Sequence, residues 1–249
     1  MNLKESIKKY FFKSKLKQIT VGSLNEISRI TWLEKVLREI PAGSKILDAG
    51  AGEQPFKSFC NHLQYVSQDF AQYSPEKLDS GLQMQNWDYG QLDIISDIAS
   101  IPQEKESFDA IMCTEVLEHI INPRETIAEF SRLLKSEGYL IITAPFCSLT
   151  HFAPYHFYSG FNKFFYEEEL NNNGFHNIEI ITNGSYFDYL AQEMNRLPFM
   201  STKYSNININ KKESKTISQL KLLLQKLSDN DSNSSELLCF GYHIRARKK

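Results

Sequence analysis

Cysteine is scarce in this 249-residue sequence: Cys60, Cys113, Cys147 and Cys239 stand far apart and form no CxxC pair, which excludes a zinc knuckle or a dithiol redox motif. Reduced thiols and a cytoplasmic location are expected. No apolar run approaches the ~18 residues that suggest a membrane span, and the Lys-rich N-terminus lacks the apolar stretch of a signal peptide. A dominant charge is missing too: 28 Lys and Arg against 30 Asp and Glu give a formal net charge of −2, so nothing sequence-wide favours nucleic acid or anionic membrane. There is no internal repeat. What remains, 41% hydrophobic and 12% aromatic residues, is enough to bury a real core. The length suits one sizeable α/β domain with an added cap.

Along the chain, residues 3–19 set Leu3, Ile7, Phe11 and Ile19 among six lysines at roughly helical period. Two readings stay open: a helix across the substrate mouth, or a surface helix that touches anionic lipid or an anionic substrate as a peripheral contact. Ser23 and Glu26 read as a capping box for a second helix with Leu24, Ile27, Ile30, Leu33, Leu37 and Ile40 on one face, ended by Pro41 and Gly43. Residues 1–43 are thus expected to be an N-terminal helical cap, and 44–249 the main domain. From Lys45 onward short apolar runs alternate with helical stretches, the pattern of parallel βαβ units. Strands are predicted at Lys45–Ala49, Tyr65–Asp69, Asp93–Ser96, Phe108–Thr114, Tyr139–Ala144, Asn177–Thr182 and Leu238–Arg245. The expected fold class is α/β, a Rossmann-like seven-stranded, mostly parallel sheet with helices on both faces and an antiparallel last strand. A helix between the fourth and fifth strands has Asn122 as N-cap, Pro123 in the first helical position and Glu125 closing the box, and Gly138 turns the chain into the next strand. Residues 71–92 are long for a βα loop, with Trp87 and Tyr89 free to pack or to touch ligand. Residues 201–236, rich in Ser, Asn and Lys around an apolar helical patch from Ile217 to Leu227, read as a mobile polar insertion.

The strongest local signal is Ile46-Leu47-Asp48-Ala49-Gly50-Ala51-Gly52-Glu53, an apolar strand that ends in an acid and a glycine-rich turn. Glycines there let backbone amides approach a ligand with no Cβ in the way, at the sheet edge where such folds bind nucleotides. A dinucleotide enzyme shows G-x-G-x-x-G; here the third glycine is missing, and Glu53 would sit badly beside a pyrophosphate. Asp69, with Phe70 after it, closes the second strand where ribose hydroxyls arrive, and one carboxylate can accept both hydrogen bonds. Asp97 and Ile98 follow the third strand where an adenine would lie. Phe108 to His119 is an apolar strand that turns polar at the same edge, with Thr114 and Glu115 at its tip.

Over roughly residues 24–182 the sequence resembles the class I methyltransferases, in particular the small-molecule group that includes the ubiquinone-biosynthesis type enzymes. Asp48-Ala49-Gly50-Ala51-Gly52 is similar to that family's first motif, Asp69 to its ribose acid, Asp97-Ile98 to its adenine contact, and Phe108-Asp109 through Glu115-Val116-Leu117-Glu118-His119 to its fourth-strand motif. Leu133-Leu134-Lys135 with Gly138-Tyr139-Leu140 through Pro145 is similar to its "LLKPGG" turn and fifth strand. The sequence departs from the family at Ser136-Glu137 and at Gln54-Pro55. The resemblance implies S-adenosyl-L-methionine as cofactor, held by Asp48, Gly50, Gly52, Asp69, Phe70, Asp97, Ile98, Thr114 and Glu115, and methyl transfer to a small-molecule acceptor, most often at oxygen.

Methyl transfer from a sulfonium is an in-line displacement, so the protein chiefly aligns the reactants in a water-poor pocket and needs a base only if the nucleophile must lose a proton. The segment Pro145–Tyr158 is dense in aromatics and holds His151 and His156, candidate general bases because imidazole titrates near neutral pH. His119 is expected to orient loops or line the pocket. Tyr155, Tyr158, Tyr186 and Phe187 either wall in an aromatic or lipid-like acceptor or pack as core. No metal site is expected: the spacing of the two histidines fits no usual ligand pattern and no further acid lies close in sequence. Two alternatives carry weight, a nicotinamide-dependent oxidoreductase, which lacks its third glycine and a Tyr-x-x-x-Lys pair here, and a catalytically silent cofactor-binding subunit. Nucleic acid is not an expected partner, since no Asn/Asp-Pro-Pro-Tyr follows the fourth strand. The oligomeric state is left open.

Overall fold

The computed structural model describes residues 19–75, 81–84 and 86–249. The basic amphipathic pattern expected at 3–19 falls, apart from Ile19, outside the described residues. The described residues divide into two compact units, residues 19–25 with 184–237, and residues 26–183 with 238–249.

The larger unit is a seven-stranded sheet of β1 (Lys45–Ala49), β2 (Gln64–Asp69), β3 (Ile94–Ile95), β4 (Phe108–Thr114), β5 (Leu134–Pro145), β6 (Phe175–Asn183) and β7 (Gly241–Lys248) in the order β3-β2-β1-β4-β5-β7-β6. β1 to β5 pair in parallel, while β7 runs antiparallel to both of its neighbours, β5 and β6. The central strands carry apolar residues on both faces because helices cover both. Helix α1 (Asn25–Arg38) sits on one face, where Leu33, Val36 and Leu37 pack with Ile46, Ala110, Met112 and Ile141. The alternate residues Leu47, Ile111, Cys113, Leu140 and Ile142 belong to the other core, with Ile127, Phe130 and Leu133 of α2 (Pro123–Leu133) and Tyr166 and Leu170 of α3 (Lys163–Asn172). Period-two alternation in the strands thus sorts the side chains into two layers.

The smaller unit contains α4 (Tyr186–Ser205) and α5 (Lys211–Ser228) around a core of Val21, Ala191 and Leu224. Both helices open on capping boxes, Ser185 with Asp188 and Asn210 with Glu213. Residues 201–236, read from sequence as a mobile insertion, are therefore largely helical: the apolar residues on α5 recur at helical spacing and outweigh the Ser and Asn content around them. The boundary also differs from one at residue 43, because the buried face of α1 joins the sheet.

Several local expectations change. α1 starts at Asn25, and Ser23 Oγ donates to the Thr20 carbonyl at 2.7 Å instead of capping the helix. Asn122 is the N-cap of α2, but its side chain donates to Glu125 Oε2 at 3.2 Å and caps no backbone N–H. β5 begins at Leu134, five residues before the predicted start, because Leu134 pairs with Phe108 before the register shifts to Ala110 with Tyr139. Glu137, at φ 61, takes the left-handed residue of that bulge. Gly138 is needed for closeness instead: a Cβ there would lie 2.8 Å from the Lys135 carbonyl oxygen.

Candidate functional site

β1, β2 and β4 deliver their acidic ends to one edge of the sheet. The bend after β1 turns on Gly50 (φ 77) and Gly52 (φ 50). Its amides point back into the protein: the N–H groups of Gly50 and Ala51 donate to the Gln68 carbonyl at 2.9 and 2.8 Å, and that of Gly52 donates to Asp69 Oδ2 at 2.9 Å. What the glycines provide is close approach. A Cβ on Gly50 would meet Val116 Cγ2 at 2.6 Å, and one on Gly52 would meet Trp87 Cζ2 at 2.9 Å. Trp87 belongs to an aromatic cluster with Tyr73, Tyr89 and Phe152 and packs over the bend. Gln54 ties the two together by donating to the carbonyls of Tyr89 and Gln91.

The carboxylates differ sharply in surroundings. Asp48 is 1% exposed and takes the Tyr65 hydroxyl on Oδ2, while its Oδ1 is buried with no hydrogen-bond partner. Burial drives its carboxyl up to about 7, against the Tyr65 hydrogen bond, and the neighbouring Asp69 adds to the rise. Asp69 is also buried and pushed upward by desolvation, opposed by backbone N–H groups that include Ala71 on Oδ1 and Gly52 on Oδ2. At least two of its lone pairs are engaged, and a carboxylate has roughly four. Phe70 is half-buried and meets Tyr155 edge to face at 4.9 Å. Asp97 is exposed and holds its own turn through the Ala99 N–H at 2.8 Å; Ile98, 5% exposed, anchors that turn in the core. Thr114 is half-buried, and Glu115, at φ 54, sends its carboxylate to Arg29 of α1 at 3.0 Å.

The segment after β5 is fastened to the 3-10 turn Leu117–His119. The Glu118 carbonyl accepts from the Phe157 and Tyr158 N–H groups at 3.0 and 3.1 Å, and His119 Nδ1 donates to the Tyr155 carbonyl at 2.5 Å. His151 Nδ1 donates to the Leu149 carbonyl at 2.8 Å, and His156 Nε2 lies 3.1 Å from Ser148 Oγ. The imidazoles of His119, His151 and His156 gather with centroids 4.7 to 5.9 Å apart. Desolvation, with His151 alongside, pulls His119 down to about 3 and lowers His156, so both stay neutral at physiological pH. Tyr155 and Tyr158 lie in this unit; Tyr186 and Phe187 belong to the smaller one, where Phe187 packs on the Val21, Ala191 and Leu224 core.

Three residues were missed from sequence. Gln68, fully buried, holds the glycine bend through its backbone carbonyl and reaches the Ser96 carbonyl with its amide at 2.8 Å. Arg29 neutralises Glu115 from a helix far off in sequence. Glu118 is fully buried with neither carboxylate oxygen hydrogen-bonded, although an acid inside the apolar run Val116 to Ile121 was a visible signal.

A family profile described as "Methyltransferase domain" matches residues 26–195. Among curated proteins, the ubiquinone biosynthesis O-methyltransferase of Xanthomonas axonopodis pv. citri (strain 306) is 33% identical over 113 residues, 41% of this chain and 44% of that protein. The chain therefore spans less than half the length of this relative. Among solved structures, a SAM-dependent methyltransferase from Archaeoglobus fulgidus matches with TM-score 0.50 at 17% identity, over 88% of this chain and 94% of the other. The [4+2]-cyclase SpnF matches with TM-score 0.50 at 18% identity, over 87% of this chain and 80% of the other. At these identities the likeness is one of fold.

Proposed function

Because this chain belongs to the methyltransferase domain family, we propose that it transfers the methyl group of S-adenosylmethionine to the oxygen of a small-molecule acceptor. The observation that carries the reading is the junction of Gly52 and Asp69: the carboxylate pins the close-packed bend through one oxygen and keeps lone pairs for a ligand. Those lone pairs accept the ribose hydroxyls of the cofactor. Asp97, exposed beside the anchored Ile98, accepts from the exocyclic amine of the base, and Phe70, Gly50 and Thr114 shape the surrounding walls. Asp48, with its buried and unpartnered Oδ1, fits a site that receives a cationic ligand, because a positive charge nearby offsets the desolvation that holds its carboxyl up. Glu115, already paired with Arg29, acts by holding the edge of β4 in place.

The cofactor supplies a methyl group activated on a sulfonium centre. The chain's own residues orient the acceptor and move its proton. His156, neutral and in contact with Ser148, takes the hydroxyl proton, with His151 beside it. Oxygen as the methylated atom is supported by the relative named as an O-methyltransferase. The aromatic segment around Tyr155, Phe157 and Tyr158 suits an aromatic or lipid-like acceptor, with Phe157 44% exposed. The nicotinamide alternative loses its ground with the family assignment. Isothermal titration tests the reading: S-adenosylhomocysteine binds and NADH does not, and a metabolite screen with labelled cofactor yields an O-methylated product. Failure to bind S-adenosylhomocysteine overturns it.

A further inference from the structure

The carboxyl end of β4 and the loop after β5 bring together three groups that the sequence keeps apart. Glu118 Oε1 lies 3.7 Å from His119 Nε2 and 3.9 Å from His151 Nε2, and the three atoms all fall within 4.8 Å of one another. The tautomers follow from the partners. A carbonyl oxygen only accepts, so His119 Nδ1 carries the proton that Tyr155 O receives, and His151 Nδ1 carries the one that Leu149 O receives. Each Nε2 is therefore the ring atom on the Glu118 side. The carboxylate itself is 1% exposed, and neither of its oxygens has a hydrogen-bond partner. Three ligand atoms thus face one another at distances too long for hydrogen bonds, around a buried carboxyl group.

We propose that Glu118, His119 and His151 bind one divalent first-row transition ion. Two imidazoles and a carboxylate are a donor set used by zinc and by related first-row ions. With bonds of about 2.1 Å, two ligands on a tetrahedral ion stand roughly 3.4 Å apart, so the two Glu118–histidine spacings need to close by a few tenths of an ångström and the two imidazoles by up to about 1.4 Å. The outer contacts agree: metal-bound histidines donate their other ring N–H to a carbonyl or carboxylate, and both do so here before any ion arrives. The ion also adds positive charge beside Glu118, where Arg29 is shared with Glu115. Three protein ligands leave a coordination position open, as catalytic sites do. An acceptor oxygen could take that position; this role, unlike the binding, rests on the methyl-transfer reading.

Titration of the metal-free protein with Zn2+, and separately with Mn2+, tests the site by calorimetry and by thermal shift. One equivalent of at least one ion binds and raises the melting temperature. Glu118→Gln and His119→Gln each weaken that binding more than tenfold, whereas Cys147→Ser and His176→Gln, away from the cluster, leave it unchanged. Should Glu118→Gln fail to fold, His151→Gln serves in its place, and Co2+ absorption bands that disappear in this variant report the same ligands. Binding of neither ion, or stoichiometric binding indifferent to all three ligand changes, overturns the proposal. S-adenosylhomocysteine binding measured on the same samples separates the two readings: metal without cofactor binding sinks the proposed function and keeps the site, and the reverse sinks the site alone.

Discussion

Asp48 ends β1 with 1% of its surface exposed and its carboxyl pushed up to about 7 from an ordinary 3.8. A folded-state value above the unfolded one means the native protein holds its proton longer as pH rises. The associated stability is complete below 3.8 and is lost by about pH 7, a swing on the order of 4 kcal/mol. Asp48→Asn, which is neutral throughout, should unfold at higher temperature than wild type above pH 7, with the gap closing below pH 4; scanning calorimetry across that window reads it. Asp69 acts differently, because its contacts are to backbone amides of the bend. Asp69→Ala should weaken S-adenosylhomocysteine binding by ~1.5–3 kcal/mol, the range for hydrogen bonds to a charged group, and unchanged affinity removes it from the site. His156 has its value lowered by burial and by His151, which favours the neutral ring that a base needs. Turnover should fall only on the acid side, through a value below the usual 6.5, and the His156→Ala enzyme should lose that acid limb together with most of its rate while keeping cofactor affinity. Normal rates in both His156→Ala and His151→Ala would mean that neither histidine serves as base.

Among the elements, the bend between β1 and Lys57 depends most on what is missing from it. Gly50→Ala sets a Cβ 2.6 Å from Val116 Cγ2 at a φ of 77, so both the backbone and the neighbour resist it. A cost of about 1–3 kcal/mol is expected from the backbone alone, measurable by urea unfolding, with a larger loss in cofactor affinity as the bend shifts. This bend and the strands β1 and β4 were legible from sequence, because an apolar run ending in an acid and glycines has few other uses. β5 was shortened in the reading since Lys135 to Glu137 are polar; they form the bulge between the Leu134 and Tyr139 pairings and take no partner on β4. The histidine cluster was illegible for a different reason. Glu118 and His151 come from different strand ends, and their convergence depends on the hydrogen bonds that tie Tyr155, Phe157 and Tyr158 back to the turn at Leu117–His119. Spacing along the chain carries no trace of such a closure.

For the whole molecule, the two units differ in how much apolar surface each encloses. The helical unit centres on Val21, Ala191 and Leu224, while the sheet unit has two cores that include Phe108, Phe130, Tyr166 and Phe175 at zero exposure. Local opening is easier where burial is thin. Amides of α4 and α5 should therefore exchange with deuterium faster than those of β1, β4 and β5, and equal protection would show that burial does not set the order. The parallel α/β class was readable because the strands alternate with helices; the helical character of residues 201–236 was obscured by the polar residues that solvate them. One feature of the sheet reaches further. β7 lies between β5 and β6, yet it is separated from β5 by almost a hundred residues of chain. While a ribosome is still adding residues 146–240, the open side of β5 has no native neighbour and offers its Leu- and Ile-bearing edge to any passing strand, a nascent copy of the same polypeptide included. Output of correctly assembled protein should accordingly depend on how quickly translation delivers residues 241–248, making the stretch of message that encodes β7 a control point for yield.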